Sequence, residues 1–155
     1  MLDSKNLRVT VPADAVTGKV TITTRVGSED ISVQSPSDFR VQRPPTAISL
    51  SSLSVDENLS TGTVVGDLTA TDEPGSVITF ALVSGEGAGE NMDFRITGSR
   101  LTTATVFDFE KKSSYSIRIR ATNQDGLSLE KAVTILVANR TDEDYDTDGL
   151  TEAQE

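Results

Sequence analysis

The stretch "YSIRIRAT" constrains the fold most. Tyr115, Ile117, Ile119 and Ala121 alternate with Ser116, Arg118, Arg120 and Thr122. Successive side chains of an extended strand point to opposite faces, so this alternation suits a strand with one face in a core and one in water. The same period recurs along the chain. "KAVTILVAN" offers Val133, Ile135 and Val137 as an inward set, and "VITFALVS" offers Ile78, Phe80 and Leu82. "FRITGSRLTTATV" reads as a hairpin turning at Gly98-Ser99, with Phe94, Ile96 and Leu101 inward. "TAISLSSLSV" supplies one further strand through Ile48 and Leu50. In "GTVVGDLTATD", Val65 is out of phase with Leu68 and Ala70, and a bulge at Gly66-Asp67 brings all three to one side. No segment has a convincing helical period. About seven short strands between Pro44 and Thr141, separated by turn residues, predict an all-β fold, an antiparallel sandwich.

The same alternation precedes this region. Leu7, Val9 and Val11, then Val20 and Ile22, flank the turn "ADAVTGK", and Phe39 and Val41 follow. "QRPPT" then interrupts the pattern, because consecutive prolines stiffen the chain and remove ladder donors. Three segments result: a partial β module over 1–43, a sandwich over 44–141 and an irregular acidic tail over 142–155. The first is shorter than a disulfide-free β domain needs to fold alone.

Composition narrows the chemistry. The 155 residues include no Cys, His or Trp, which excludes Cys and His nucleophiles, the usual zinc sites and imidazole acid–base catalysis. The lack of Cys fits both cytosolic and exported proteins. The formal net charge is −10, and seven acids fall in 142–155 with no base among them. This balance disfavours nucleic acid and attracts cations. No apolar run is long enough to cross a membrane, so no direct membrane insertion is expected. "MLDSKNLRV" has neither a basic n-region nor an apolar h-region, so the sequence reads as starting inside a longer protein.

Residues 46–141 resemble a cadherin repeat of the shorter bacterial form, an immunoglobulin-like sandwich. The resemblance rests on "VDENLSTGTVVGDLTATD", "FDFEKKSSYSIRIRATNQDG" and "LSLEKAVTILVAN", in that order. It implies Ca²⁺ bound at junctions between modules by hard oxygen ligands, of which the ion takes ~6–8. Glu57 matches the Glu of the first motif, and Asp108 and Glu110 match the acids of the second. The linker "ANRTDED" adds Asn139, Asp142 and Asp144. At the opposite end Asp72 fits the family's first acid, but Pro74 stands at the second and Asn123 replaces an Asp. Asp72 and Asn123 are therefore weaker metal candidates that read as turn residues, and that joint is expected to be metal-free. Residues 7–42 resemble the C-terminal half of an IPT/TIG-type domain, through "VTVPADAVTGKVTITT" and "SDFRV".

The tail has its own spacing. Asp144, Asp146, Asp148, Gly149 and Glu155 fall at positions 1, 3, 5, 6 and 12 of a calcium loop. The Leu150 carbonyl takes position 7, and Glu152 at position 9 acts through water. "DTDGLTEAQE" resembles a bacterial thrombospondin type 3 repeat, with dockerin loops a nearby alternative. The competing reading is a solvated acidic terminus.

These features predict a non-catalytic, calcium-binding module of an extracellular or cell-surface protein, in adhesion or as a spacer stiffened by the ion. Its partners beyond calcium are another surface protein or a polysaccharide, and its parent protein is associated with a membrane. The alternative is a carbohydrate-binding module accessory to a polysaccharide-degrading enzyme, weakened by the few aromatics, with Phe80, Phe94 and Phe107 assigned to the core and Tyr145 in an exposed segment. Asp108 and Glu110, two apart on one strand face, also resemble a catalytic carboxylate pair, but no cleft residue supports them. The sequons at Asn58 and Asn139 read as chance.

Overall fold

The computed structural model describes Thr10, Pro12 and residues 14–140. The chain divides into two compact units, Met1–Gln42 and Arg43–Glu155.

The first unit contains one hairpin, in which β1 (Gly18–Val26) pairs antiparallel with β2 (Glu29–Phe39). Gly27 makes the two-residue turn possible with a φ of 67°, a left-handed conformation that side chains resist. The ladder shifts register between Lys19 and Thr21, where the Val20 N–H donates to Ser35 Oγ at 3.1 Å. Val20 and Ile22, expected inward, are exposed, as are Ile31 and Val33. The alternation is real, but no second layer within the described part of this unit covers it. Leu7, Val9 and Val11 lie outside the described residues.

The second unit is a sandwich of two four-stranded sheets. One has the order β3 (Ala47–Leu50), β5 (Val64–Thr71), β8 (Arg100–Thr103), β7 (Phe94–Thr97). The other runs β4 (Ser54–Asp56), β10 (Ser128–Ala138), β9 (Ser114–Asn123), β6 (Ile78–Leu82). All pairs are antiparallel except β4 with β10. A 3₁₀ turn, Asn91–Asp93, precedes β7. Among the described residues no helix is long and apolar enough to cross a membrane.

The alternating sets meet between the sheets. Ile117, Ile119, Ala121, Ile135 and Leu101 are wholly buried, with Ile48, Leu68, Phe94 and Val137 around them. Phe94, Phe107 and Tyr115 form one aromatic cluster, with ring centroids 4.3 to 6.1 Å apart.

Two details differ from the sequence reading. The strand expected over "TAISLSSLSV" is two strands, because Ser51–Leu53 breaks the ladder and carries the chain from one sheet to the other. The sandwich thus has eight strands rather than seven. The bulge in β5 falls at Val65, one residue earlier than Gly66-Asp67. It turns Val65 inward beside Leu68, leaves Gly66 against Ser51 and lets the Asp67 N–H donate to Ser51 Oγ at 2.8 Å.

Candidate metal centre

Three loops meet at the C-terminal end of the sandwich. Glu57 follows β4, where its N–H donates to the Ala138 carbonyl at 3.1 Å. Asn58 next to it turns the chain through a left-handed φ of 57° and donates its N–H to Phe107 O at 2.9 Å. Asp108 and Glu110 lie between β8 and β9, and Asn139 follows β10. Asp108 and Glu110 are not on a strand. Residues 109–111 form a turn in which Asp108 Oδ1 accepts the Lys111 N–H at 2.9 Å. The Asp side chain competes with a strand ladder for its own neighbours' donors, and here it wins. This removes the shared strand face on which the catalytic carboxylate pair rested.

One carboxylate oxygen from each of Glu57, Asp108 and Glu110 lies within 4.8 Å of the others. Glu57 is 1% exposed, unusual for an acid. Its Oε2 accepts the Phe109 N–H at 2.7 Å, and its Oε1 accepts the Arg140 N–H at 2.8 Å. The side chain thereby ties the β8–β9 loop to the segment leaving β10. Asp108 Oδ2 carries the Lys111 ammonium at 2.7 Å. That ammonium and the Lys111 N–H hold the Asp108 carboxyl below its usual range. Glu110 Oε1 accepts Asn139 Nδ2 at 2.8 Å. Asn139 Oδ1 stands out among the described residues as a buried side-chain oxygen without a hydrogen-bond partner. Such an orphan is costly unless a group beyond the described residues completes it.

The donor set fits Ca²⁺. It consists of carboxylates and an amide oxygen, from three loops, without sulfur or imidazole. Sequence reasoning did not find Lys111 as the counter-ion of Asp108, nor the Phe109 and Arg140 amides on Glu57. The run "DFEKK" contains the first of these, because an acid followed three residues later by Lys suits an ion pair across a turn. Nothing local signals the other two.

Asp72 and Asn123 lie together at the opposite end, with Asn123 Nδ2 donating to Asp72 Oδ2 at 3.0 Å. Asp142, Asp144, Asp146, Asp148, Leu150, Glu152 and Glu155 lie outside the described residues, as does Tyr145. The aromatics assigned to the core are in it, with Phe94 and Phe107 buried and Phe80 packed against it.

A cadherin domain is matched over residues 51–138. The chain belongs to the cadherin domain family. Cadherin domains bind Ca²⁺, are extracellular and are typically non-catalytic, so this one points to a calcium-dependent, adhesion-type extracellular module. Solved structures share the fold. The protocadherin gamma B4 extracellular domain has a TM-score of 0.51 at 24% identity over 81% of this chain and 21% of its own. The protocadherin gammaB7 cis-dimer of domains EC3-6 has 0.50 at 24% identity over 64% and 24%. Human protocadherin-24 EC1-2 has 0.50 at 17% identity over 63% and 47%. The chain therefore spans less than half the length of each of these structures. No curated protein sequence matches it.

Proposed function

We propose that this cadherin domain binds Ca²⁺ at its C-terminal end through Glu57, Asp108, Glu110 and Asn139, and that Asp142 and Asp144 of the following segment complete the set. The observation that supports this reading is the convergence of three carboxylates beside the orphaned Asn139 oxygen. Clustered carboxylates repel one another, and a divalent ion reverses that repulsion and holds the loops and the outgoing chain in one geometry. The module then acts in adhesion, or as a spacer stiffened by calcium, within a longer surface or secreted protein.

A second, weaker ion belongs to the spacing of Asp144, Asp146, Asp148, Leu150 and Glu155, with Glu152 assisting through water. Its affinity is expected in the range of extracellular modules, ~10⁻⁴–10⁻³ M. Competition for Asp144 couples the two sites. The partial IPT/TIG-like module before the sandwich serves as a structural spacer.

Titration with CaCl₂, followed in amide NMR spectra, tests both sites. Shifts at Phe109, Glu110 and Arg140 are expected, and their absence sinks the junction site. Shifts confined to residues 144–155 leave the tail loop alone. Replacing Asp108→Asn and Glu110→Gln together should weaken the first set of shifts without unfolding the sandwich.

A further inference from the structure

The N-terminal end of the sandwich holds a second polar cross-link, built around an amide. Asn123 ends β9 and is only 6% exposed. A buried carboxamide must satisfy two donors and an acceptor with two lone pairs. Asn123 does so completely. Its Oδ1 accepts the N–H groups of Asp125 and Leu127 at 3.1 and 3.0 Å, which closes the β9–β10 turn. Its Nδ2 donates to Asp72 Oδ2 at 3.0 Å and to the Arg43 carbonyl at 2.8 Å.

The two acceptors of that NH₂ group are distant in sequence. Asp72 follows β5, and Arg43 opens the unit. Asp72 is fixed in turn, because its Oδ1 accepts the Glu73 N–H at 2.8 Å. The segment that starts at Arg43 is pinned further along. Pro45 is fully buried, and the Thr46 N–H donates to Thr71 O at 2.7 Å. A carboxylate oxygen and a backbone carbonyl thus converge on one point, where the partial positive charge of an amide N–H pair meets them.

We propose that the Asn123 carboxamide does at this end what a cation does for converging oxygens, so that residues 43–46 are held on the sandwich without metal. Asn123→Asp then removes both of these donors and places a carboxylate against Asp72 and the Arg43 carbonyl. Three oxygens face one another, and the end comes to require a divalent cation. The inference is independent of calcium at the opposite end.

Hydrogen exchange at the Thr46 amide and the Asn123 side-chain NH₂ signals is the measurement, with the whole chain in EDTA and in saturating CaCl₂. With Asn123 in place and the opposite end silenced by Asp108→Asn and Glu110→Gln, both should be equally protected in the two conditions. Loss of either in EDTA in that background overturns the proposal. Asn123→Asp should speed exchange at Thr46 by roughly ten-fold in EDTA, the scale of losing one or two net hydrogen bonds. CaCl₂ should restore it. The Asp108→Asn, Glu110→Gln background keeps this response separate from the C-terminal end. Unchanged protection of Asn123→Asp in EDTA, or loss that calcium does not restore, also overturns it.

Discussion

Glu57 is a buried acid with two separable tasks. It satisfies two backbone donors, and under the proposed function it also ligates an ion. Glu57→Ala removes the acceptor of the Phe109 and Arg140 N–H groups. A loss of ~1–3 kcal/mol is expected even in EDTA, chiefly from the half-buried Phe109 donor, since Arg140 is exposed and its amide can turn to water, and urea unfolding measures it. Glu57→Gln keeps one good acceptor and should recover part of that stability while losing the calcium response. Equal stability of Glu57→Ala and the parent in EDTA would contradict this tie between the β8–β9 loop and the segment leaving β10. Glu90 is a second informative acid. Its Oε1 takes the Lys112 ammonium at 2.6 Å and its Oε2 the Ser116 N–H at 2.7 Å, and these hold its carboxyl below the usual range. A lowered carboxyl stabilises the fold above its unfolded value and loses that contribution as pH falls through the folded one. Lys112 is raised by the Glu90 hydrogen bond, so its share is complete below the unfolded lysine value and lost as pH rises through the folded one. Lys112→Met should therefore flatten the acid limb of a urea-midpoint profile, an effect kept small by solvent.

At the level of elements, the irregular pieces do more than the regular ones. The bulge at Val65 needs a glycine after it. A Cβ on Gly66 would lie 2.9 Å from Ser51 Oγ and 3.0 Å from the Ser52 nitrogen. Gly66→Ala should cost ~1–3 kcal/mol through forced displacement of that backbone, whereas Gly98→Ala meets open space and is penalised only by its φ of 61°. Thermal unfolding of the two variants separates crowding from conformation. The loop before β7 likewise acts as a strand. Asn91 Oδ1 accepts the Arg118 N–H at 2.9 Å, its Nδ2 donates to Val83 O at 2.8 Å, and Glu90 N–H donates to Ser116 O at 3.1 Å. Side chains thus continue the β9 ladder beyond the end of β6. Asn91→Ala should cost ~1–3 kcal/mol by leaving the Arg118 donor unpaired, while Met92→Ser, at 92% exposure, should change little.

For the molecule as a whole, the two ends of the sandwich are closed differently. The C-terminal end gathers carboxylates, and the N-terminal end gathers neutral and paired groups around Asn123. Calcium should raise the melting temperature, because a ligand that binds only the folded state adds stability, ~2.7 kcal/mol at a hundred times its Kd. Differential scanning calorimetry in EDTA and in CaCl₂ measures the difference. Absence of any shift at millimolar calcium contradicts the proposed site.

Much of the sandwich was legible because periodicity is local. The two-residue repeat at Ile117, Ile119 and Ala121 identifies a strand and its buried face from neighbours alone, and those residues are the centre of the core. Prolines and glycines mark where ladders stop, and the resemblance places Glu57, Asp108 and Glu110 at one end. Tertiary structure decided the rest. The division of one expected strand between two sheets depends on which edge each half meets. The burial of Glu57 depends on amides 52 and 83 positions away, and that of Asn123 on a carbonyl 80 positions away. A side chain's hydrogen-bonding groups are written in the sequence, but their partners are chosen by the fold, since a donor counts only where packing brings it within about 3 Å.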